Sequence, residues 1–258
     1  MEILVCIKQV PDDSVEISLN PNNGKANLDG VAEVVNAFDT YALEMATRLK
    51  ETKNGRITVL SLGGESTSNS LKNCLAVGAD EAYLIKNEAY QEKEPFTVAE
   101  ILADAVKQIE EKNGKKFDMI FCGKESTDFA SGQVGIMLAN ILDYPVITNL
   151  IDVDTTTDKV IAKRETEEGY QKIESSFPCL LTVNKPNYEP RYPTIKSKMA
   201  ARKKNIEELM VEDRNENIIE EVRTFAPAKR QAGEKLKTGS NEEMVAEAIK
   251  KMLEAKVL

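Results

Sequence analysis

The chain predicts an α/β fold, a doubly wound and mostly parallel sheet. Three observations carry this expectation. Short, continuously apolar runs at Ile3–Ile7, Arg56–Leu62, Ala82–Ile85 and Phe117–Cys122 read as buried parallel strands. They alternate with stretches of helical period, and that alternation puts helices on both faces of one sheet. The residues that follow three of the strands (Lys8 onward, Gly63–Ser66, Gly123–Gly135) are the unusual ones, and ligands of open α/β sheets sit at that carboxyl edge.

In order, ILVCI forms a strand that ends at Lys8. Asn20–Lys25, NPNNGK, reads as a hairpin turn between short strands at Val15–Leu19 and Ala26–Leu28. Ala42, Met45, Ala46 and Leu49 form a helical stripe that Asp39 or Thr40 can cap, so Asn36 and Asp39 lie where the chain enters a helix. Capping and ligand contact are both open for these two. RITVLSL is the second strand. Gly63 and Gly64 allow close backbone approach, Ser66 or Thr67 can cap the helix through Leu75, and Gly78 marks its end. Ala82–Ile85 is the third strand. Thr97 and Glu100 then have the spacing of a capping box, opening a helix with Val98, Ile101, Leu102, Ala105, Val106 and Ile109 on its core face.

The fourth strand, FDMIFC, leads into GKESTDFASGQVG. Val134, Met137, Leu138, Ile141 and Leu142 then mark a helix face, with Pro145 past its end. The loop holds Gly123, Gly132 and Gly135, the cap or turn formers Ser126, Thr127, Asp128 and Ser131, and Lys124. Such a loop can bring N–H groups and a helix N-terminus to an anion, usually phosphate. It matches neither GxGxxG nor GxxxxGK[ST], and a capped turn without a ligand is the other reading.

Beyond Pro145 the runs Val146–Val153, Lys159–Arg164, Tyr170–Glu174 and Cys179–Val183 are β-rich and extend the sheet with antiparallel strands. From Lys185 to Lys204 there are seven Lys or Arg against one Glu, with Pro186, Pro190 and Pro193 opposing regular structure in the first half. This segment is a docking arm or a solvated connector. Residues 205–238 are charged and aperiodic. Ser240 and Glu243 then form a capping box for a helix with Val245, Ala248, Ile249, Met252 and Leu253 on one face.

At 258 residues the chain can bury a full core, and no run approaches the length of a membrane span. The N-terminus lacks the features of a signal peptide, which points to the cytoplasm. A net charge of −9 argues against nucleic acid. Cys6, Cys74, Cys122 and Cys179 are scattered in apolar runs, so metal ligation is not expected. There is no histidine, which removes the commonest general base and excludes Ser-His-Asp and Cys-His chemistry. Catalysis, if any, belongs to a bound cofactor.

With these pieces in place the chain resembles the β subunit of electron-transfer flavoprotein. The likeness rests on LVCIKQVPD, NAFDTYALE, CLAVGADEA, GKESTDFASGQVG, AKRETEEGYQKIESSFPCLLTV and EPRYPTIKSKMAARKK, in that order. Within the family signature, Gln171, Ile173, Pro178 and Thr182 fit and Glu168 departs. The resemblance implies a sheet of the adenine-nucleotide-binding type and an obligate heterodimer with an α subunit that carries FAD. It implies nucleotide contacts at Cys6, Asn36, Phe38, Asp39, Leu62, and Gly123, Lys124, Glu125, Ser126, Thr127, Asp128, Ser131, Gly132, Gln133 and Val134. Lys8, Thr40, Gly63, Gly64 and Ser66, at the same strand and helix ends, complete the expected cofactor-binding set.

The EPRYPTIKSKMAARKK stretch resembles the family's recognition loop, with Ile195 as the plug into a partner dehydrogenase and Tyr192, Lys196 and Lys198 around it. Family members often carry Leu at that position. The expected division is residues 1–204, including the loop 184–204, and an arm 205–258 that packs on the α subunit. NAFDTYALE and VPD look like the anaerobic, bifurcating type. That type implies FAD rather than AMP on this subunit, NADH as hydride donor, and electrons divided between a flavin-dependent dehydrogenase (acyl-CoA or hydroxy-acid type) and ferredoxin or flavodoxin. The alternatives are a non-bifurcating subunit with structural AMP, or an ATP-using nucleotide enzyme. In the latter case SLGGEST is similar to a pyrophosphate loop, but Glu65 stands where an Asp-Ser pair is wanted.

Overall fold

The computed structural model describes residues 1–20, 24–212, 218–219, 222, 224–228, 232–237 and 239–257. Its strands and helices follow the expected alternation: β1 (Glu2–Cys6), β2 (Gln9–Pro11), β3 (Glu33–Val35), α1 (Ala37–Lys53), β4 (Arg56–Gly63), α2 (Thr67–Val77), β5 (Glu81–Lys86), α3 (Pro95–Asn113), β6 (Met119–Gly123), α4 (Val134–Leu142), β7 (Val146–Thr155), β8 (Lys159–Thr166), β9 (Gly169–Ser176), β10 (Cys179–Val183), α5 (Ile195–Lys203), β11 (Glu207–Leu209) and α6 (Asn241–Glu254). Among the described residues nine strands form one sheet in the order β11-β5-β4-β1-β6-β10-β7-β8-β9, and β2 and β3 pair separately.

Alternation along the central strands sorts their side chains to two cores. Ile3, Val5 and Ile7 join Ala42, Met45, Ala46 and Leu49 of α1 and Leu71 and Leu75 of α2 on one face. Leu4, Leu60 and Ile120 join Ile101, Leu102, Val106 and Ile109 of α3 and Leu138 of α4 on the other. Helices on both faces are what the apolar runs require, since a strand buried on both sides has no polar face to offer water. The chain lays β4 and β5 on one side of β1, then crosses to lay β6 on the other. The order therefore reverses between β1 and β6, whose carboxyl ends are Cys6 and Gly123.

Several expectations need correction. β10 is inserted between β6 and β7 and pairs with both in parallel, and the antiparallel pairings of the large sheet among the described residues are β7 with β8 and β8 with β9. β7 accommodates the change through irregular register on both sides of Asn149, which takes a left-handed conformation (φ 58°) and donates its N–H to Thr182 Oγ1 at 3.2 Å. The strands expected at 15–19 and 26–28 do not form. What remains is Asn27 N donating to Ser18 O and Asn20 N donating to Lys25 O, both at 2.8 Å, and turn residues 21–23 lie outside the described residues. The capping-box reading of Thr97 fails because α3 starts earlier, at Pro95, whose missing N–H suits a first helical turn. The basic segment holds a helix, α5, opened by a capping box of Thr194 and Ser197. β11 was not foreseen, and pairs with β5 in parallel.

Contacts divide the chain into two units, Met1–Ser18 with Ala26–Val222, and Leu19–Lys25 with Arg223–Leu258. The first contains the sheet and α1 to α5. The second contains α6, whose expected capping box of Ser240 and Glu243 is present and whose Val245, Ile249, Met252 and Leu253 are exposed. No helix among the described residues is long and apolar enough to cross a membrane.

Gly78, at the end of α2, has φ 165°, an ordinary extended value, so left-handed geometry is not the reason for glycine. Space is the reason: an added Cβ would lie 2.2 Å from Oγ1 of buried Thr47 on α1, which donates to Leu43 O at 2.7 Å. Gly78→Ala is expected to cost about 1–3 kcal/mol in urea unfolding. Adding Thr47→Ala should recover more than half of that loss, because the two sites share one contact.

Candidate functional site at the carboxyl edge

Asp39 sits in the first turn of α1 and is buried. It caps nothing on its own helix. Its Oδ2 accepts the backbone N–H of Lys8 at 2.7 Å and its Oδ1 that of Gly123 at 3.0 Å. One carboxylate thus ties together the chain leaving β1 and the chain leaving β6, across the point where strand order reverses. Gly123 is required by this closeness: a Cβ there would come within 2.4 Å of Asp39 Oδ1 and 2.9 Å of the Phe38 backbone carbon. Burial pushes the Asp39 carboxyl up to about 7, and the bonds from Lys8, Asn36 and Gly123 pull back against it.

Asn36 occupies the N-cap position of α1 without a side-chain cap. Its amide instead spans to the 123–133 loop, Nδ2 donating to Glu125 O at 2.9 Å and Oδ1 accepting Thr127 N at 3.1 Å. Asn36 N in turn donates to Lys8 O at 2.9 Å. Thr40, the other expected cap, donates its hydroxyl to Ala37 O at 2.6 Å. Lys8 Nζ reaches the same loop, 2.6 Å from Asp128 Oδ2 and 3.4 Å from Ser126 Oγ, and lies 4.8 Å from the centre of the exposed Phe129 ring. Lys124 Nζ is 3.4 Å from Glu125 Oε1 and 5.1 Å from the Phe38 ring centre.

The structure therefore brings Lys8, Asn36, Phe38, Asp39, Gly123, Lys124, Glu125, Ser126, Thr127 and Asp128 into one bonded cluster. Beyond it, Ala130 (φ 50°) and Gly132 (φ 62°) take left-handed conformations and turn the loop into α4. Gln133 is the N-cap residue and gives α4 no side-chain cap. The amides of Ser131, Gly132 and Gln133 donate to no backbone carbonyl among the described residues. With the positive end of the helix dipole behind them, and with Val134 opening α4, these donors suit an anion.

Cys6 and Leu62 are buried at the ends of β1 and β4, in the core shared with α3 and α4. Their neighbours are core side chains. Cys6 lies against Cys122 of β6, whose thiol is held well above its ordinary value by a bond with Cys6 and by burial. Gly63, Gly64 and Ser66 make no hydrogen bond to the 123–133 loop among the described residues. Gly63 is closed in by Thr67, and Gly64 by Glu88. The hydroxyls expected to cap α2 go elsewhere: Ser66 Oγ and Thr67 Oγ1 both donate to Gln9 Oε1 at 3.0 Å, while Gln9 Nε2 donates to Ser70 Oγ at 3.1 Å and Ser66 O at 3.3 Å. Gln9 is buried and was not singled out from the sequence. The signal was there, in an amide side chain that follows Lys8 and leads directly into the apolar Val10 and Pro11.

Tyr192, Ile195, Lys196 and Lys198 lie at and around the start of α5. Tyr192 is 90% and Ile195 82% exposed, and Met199, one turn on from Ile195, is also exposed.

The donor set fits a phosphorylated ligand. It is made of main-chain amides at a helix start, with two lysines close by. No group of three His, Cys, Asp or Glu side chains that could hold a metal ion occurs among the described residues.

A family model described as electron transfer flavoprotein domain matches residues 26–214. Over 211 residues the chain is 40% identical to an electron transfer flavoprotein subunit beta of Megasphaera elsdenii, covering 81% of this chain and 78% of that one. It is 35% identical over 262 residues to the corresponding subunit of Thermoanaerobacterium thermosaccharolyticum, covering 98% of both chains. It is also 32% identical over 268 residues to the caffeyl-CoA reductase-Etf complex subunit CarD of Acetobacterium woodii, covering 100% of both.

The Asp39 carboxyl has a folded value of about 7 against an ordinary 3.8, so the folded chain holds this proton more tightly than the unfolded chain. Its contribution is therefore fully present below 3.8 and is lost as pH rises through about 7. Asp39→Asn keeps one acceptor and removes the titration. Unfolding followed from pH 5 to 8 should show the wild type losing stability relative to Asp39→Asn as pH rises.

Proposed function

Since the chain belongs to the electron-transfer flavoprotein family, among its β subunits, we propose that it pairs with an α subunit, binds FAD at the carboxyl edge of its sheet, and takes part in electron bifurcation. The observation that carries the cofactor reading is the uncapped start of α4, with the amides of Ser131, Gly132 and Gln133 lacking backbone acceptors beside Lys8 and Lys124. The bifurcating reading is supported by the full-length similarity to a subunit of a caffeyl-CoA reductase complex.

A bound flavin would supply the redox chemistry, with NADH as hydride donor and, as acceptors, an acyl-CoA or hydroxy-acid dehydrogenase by way of the α-subunit FAD, and ferredoxin or flavodoxin. This chain's residues bind and orient. Main-chain donors of the loop and of the α4 start would hold its diphosphate. Asp39 and Asn36 fix the loop to β1 and α1, so the donors are arranged before the ligand arrives. Lys8 and Lys124 each carry a carboxylate neighbour, Asp128 and Glu125, which keeps the loop near neutral until a phosphate competes for them. Ile195, exposed on α5 between Lys196 and Lys198, is the aliphatic anchor for the dehydrogenase.

Cofactor counting on the purified heterodimer decides between flavin and AMP. Two FAD per heterodimer are expected, whereas one FAD with one AMP rules out bifurcation and leaves a structural nucleotide. Gly132→Val places a β-branched side chain at φ 62° and should lower nucleotide content severalfold. Full occupancy in that variant would put the cradle elsewhere. Ile195→Asp should abolish electron delivery to the dehydrogenase while nucleotide content stays intact, and unchanged coupled turnover would refute docking through α5.

A further inference from the structure

The segment that leads into α5 is fastened to α1 by one arginine. Arg191 Nε donates to Glu44 Oε2 at 2.8 Å, its backbone N donates to the same oxygen at 3.2 Å, and Nη2 reaches Glu44 Oε1 at 3.3 Å. The other side of the guanidinium grips Glu51, with Nη1 to Oε1 at 2.6 Å and Nη2 to Oε2 at 3.1 Å. Glu44 and Glu51 lie seven residues apart on α1, two turns along one face, and only a planar fork can span both. Glu44 is buried, and its remaining partner is Arg48, at 2.8 Å, whose guanidinium stacks 3.8 Å from the centre of the Tyr188 ring. Burial acts to raise the Glu44 carboxyl, but the bonds from Arg191 and Arg48 outweigh it and hold it below its ordinary range.

The far end of α5 is fixed as well. Lys204 Nζ donates to Ala79 O at 2.9 Å and Asp80 O at 3.2 Å, and Lys72 Nζ donates to Lys204 O and to Arg202 O. Tyr192, Ile195 and Met199 stand exposed between two anchored ends. Prolines at 186, 190 and 193 deny the approach any ladder of its own, so its direction depends on side-chain bonds.

We infer that Arg191 is the positioning residue for docking: by clamping Glu44 and Glu51 it presents Ile195 in a preformed geometry, and so sets affinity for the partner dehydrogenase without touching it. This rests on the docking reading given above. An exposed apolar anchor on a loose arm would have to be ordered at each encounter, and a clamped one is ordered beforehand.

The test uses the intact heterodimer. The partner is whichever of an acyl-CoA dehydrogenase and a flavin-dependent 2-hydroxy-acid dehydrogenase the wild type serves at the lower KM. Arg191→Ala should raise that KM about tenfold and Arg191→Lys about threefold, the scale of ordering one or two long side chains. The kcat at saturating dehydrogenase and the nucleotide content should stay unchanged. Combined with Ile195→Ala, the Arg191→Ala effect should be much smaller than it is alone, because it acts through Ile195. An unchanged KM, a fully additive double variant, or a fall in nucleotide content with the KM change overturns the inference. If Arg191→Ala does not fold, Arg191→Lys carries the same test. If Ile195→Ala leaves KM unchanged, the docking reading fails first and takes this inference with it; if only the Arg191 variants leave it unchanged, the docking reading stands and this inference falls.

Discussion

The organisation of the carboxyl edge depends on a carboxylate placed where two parallel strands part. Between β1 and β6 the backbone N–H groups of Lys8 and Gly123 leave the sheet with no strand partner, and buried donors left unpaired are costly. Asp39 satisfies both. A bond from a main-chain amide to a charged acceptor is worth about 1.5–3 kcal/mol, and two of them offset much of the cost of burying the group. The same placement dictates glycine at 123, directs the 123–133 loop over α1, and leaves Asn36 facing the loop to make its two bonds. At the crevice itself the two donors are thus taken up by Asp39, and the main-chain amides without a backbone acceptor among the described residues lie further out, at the start of α4.

That arrangement explains how a chain of net charge −9 can offer a place to an anion. Fixed dipoles do not enter the net charge, and a helix start concentrates them within one turn. The lysines at the site are balanced by adjacent carboxylates, Lys8 by Asp128 and Lys124 by Glu125, so the loop carries little net charge of its own. With no histidine in the chain, the function proposed above asks of these residues only that oriented amides recognise the ligand.

The parallel core and its helices were legible because their signals are local: continuous apolar runs, and stripes at helical spacing such as Ile101, Leu102, Ala105, Val106 and Ile109. The loop between β6 and α4 was legible for the same reason. Caps were read less well. Asp39, Ser66 and Thr67 have the residue types of helix caps, but each is drawn to a partner distant in sequence, Lys8 and Gly123 in one case and Gln9 in the other. Local propensity cannot register a competitor some 30 to 80 residues away. The insertion of β10 between β6 and β7 was missed because an apolar run such as CLLTV has the same appearance in either orientation. α5 was hidden by the prolines before it, and Arg191 by being one cation among seven.

Helix α1 has a role that neither of its ends displays alone. Its first turn carries Asp39, and Glu44 and Glu51 follow on the same continuous rod of 17 residues. Each residue added to or removed from such a rod rotates everything beyond it by about 100°. The spacing of five residues between the crevice carboxylate and the clamp carboxylate is therefore a gauge length: drift in side-chain identity along it is cheap, whereas a single insertion would swing one of the two functions away from its counterpart.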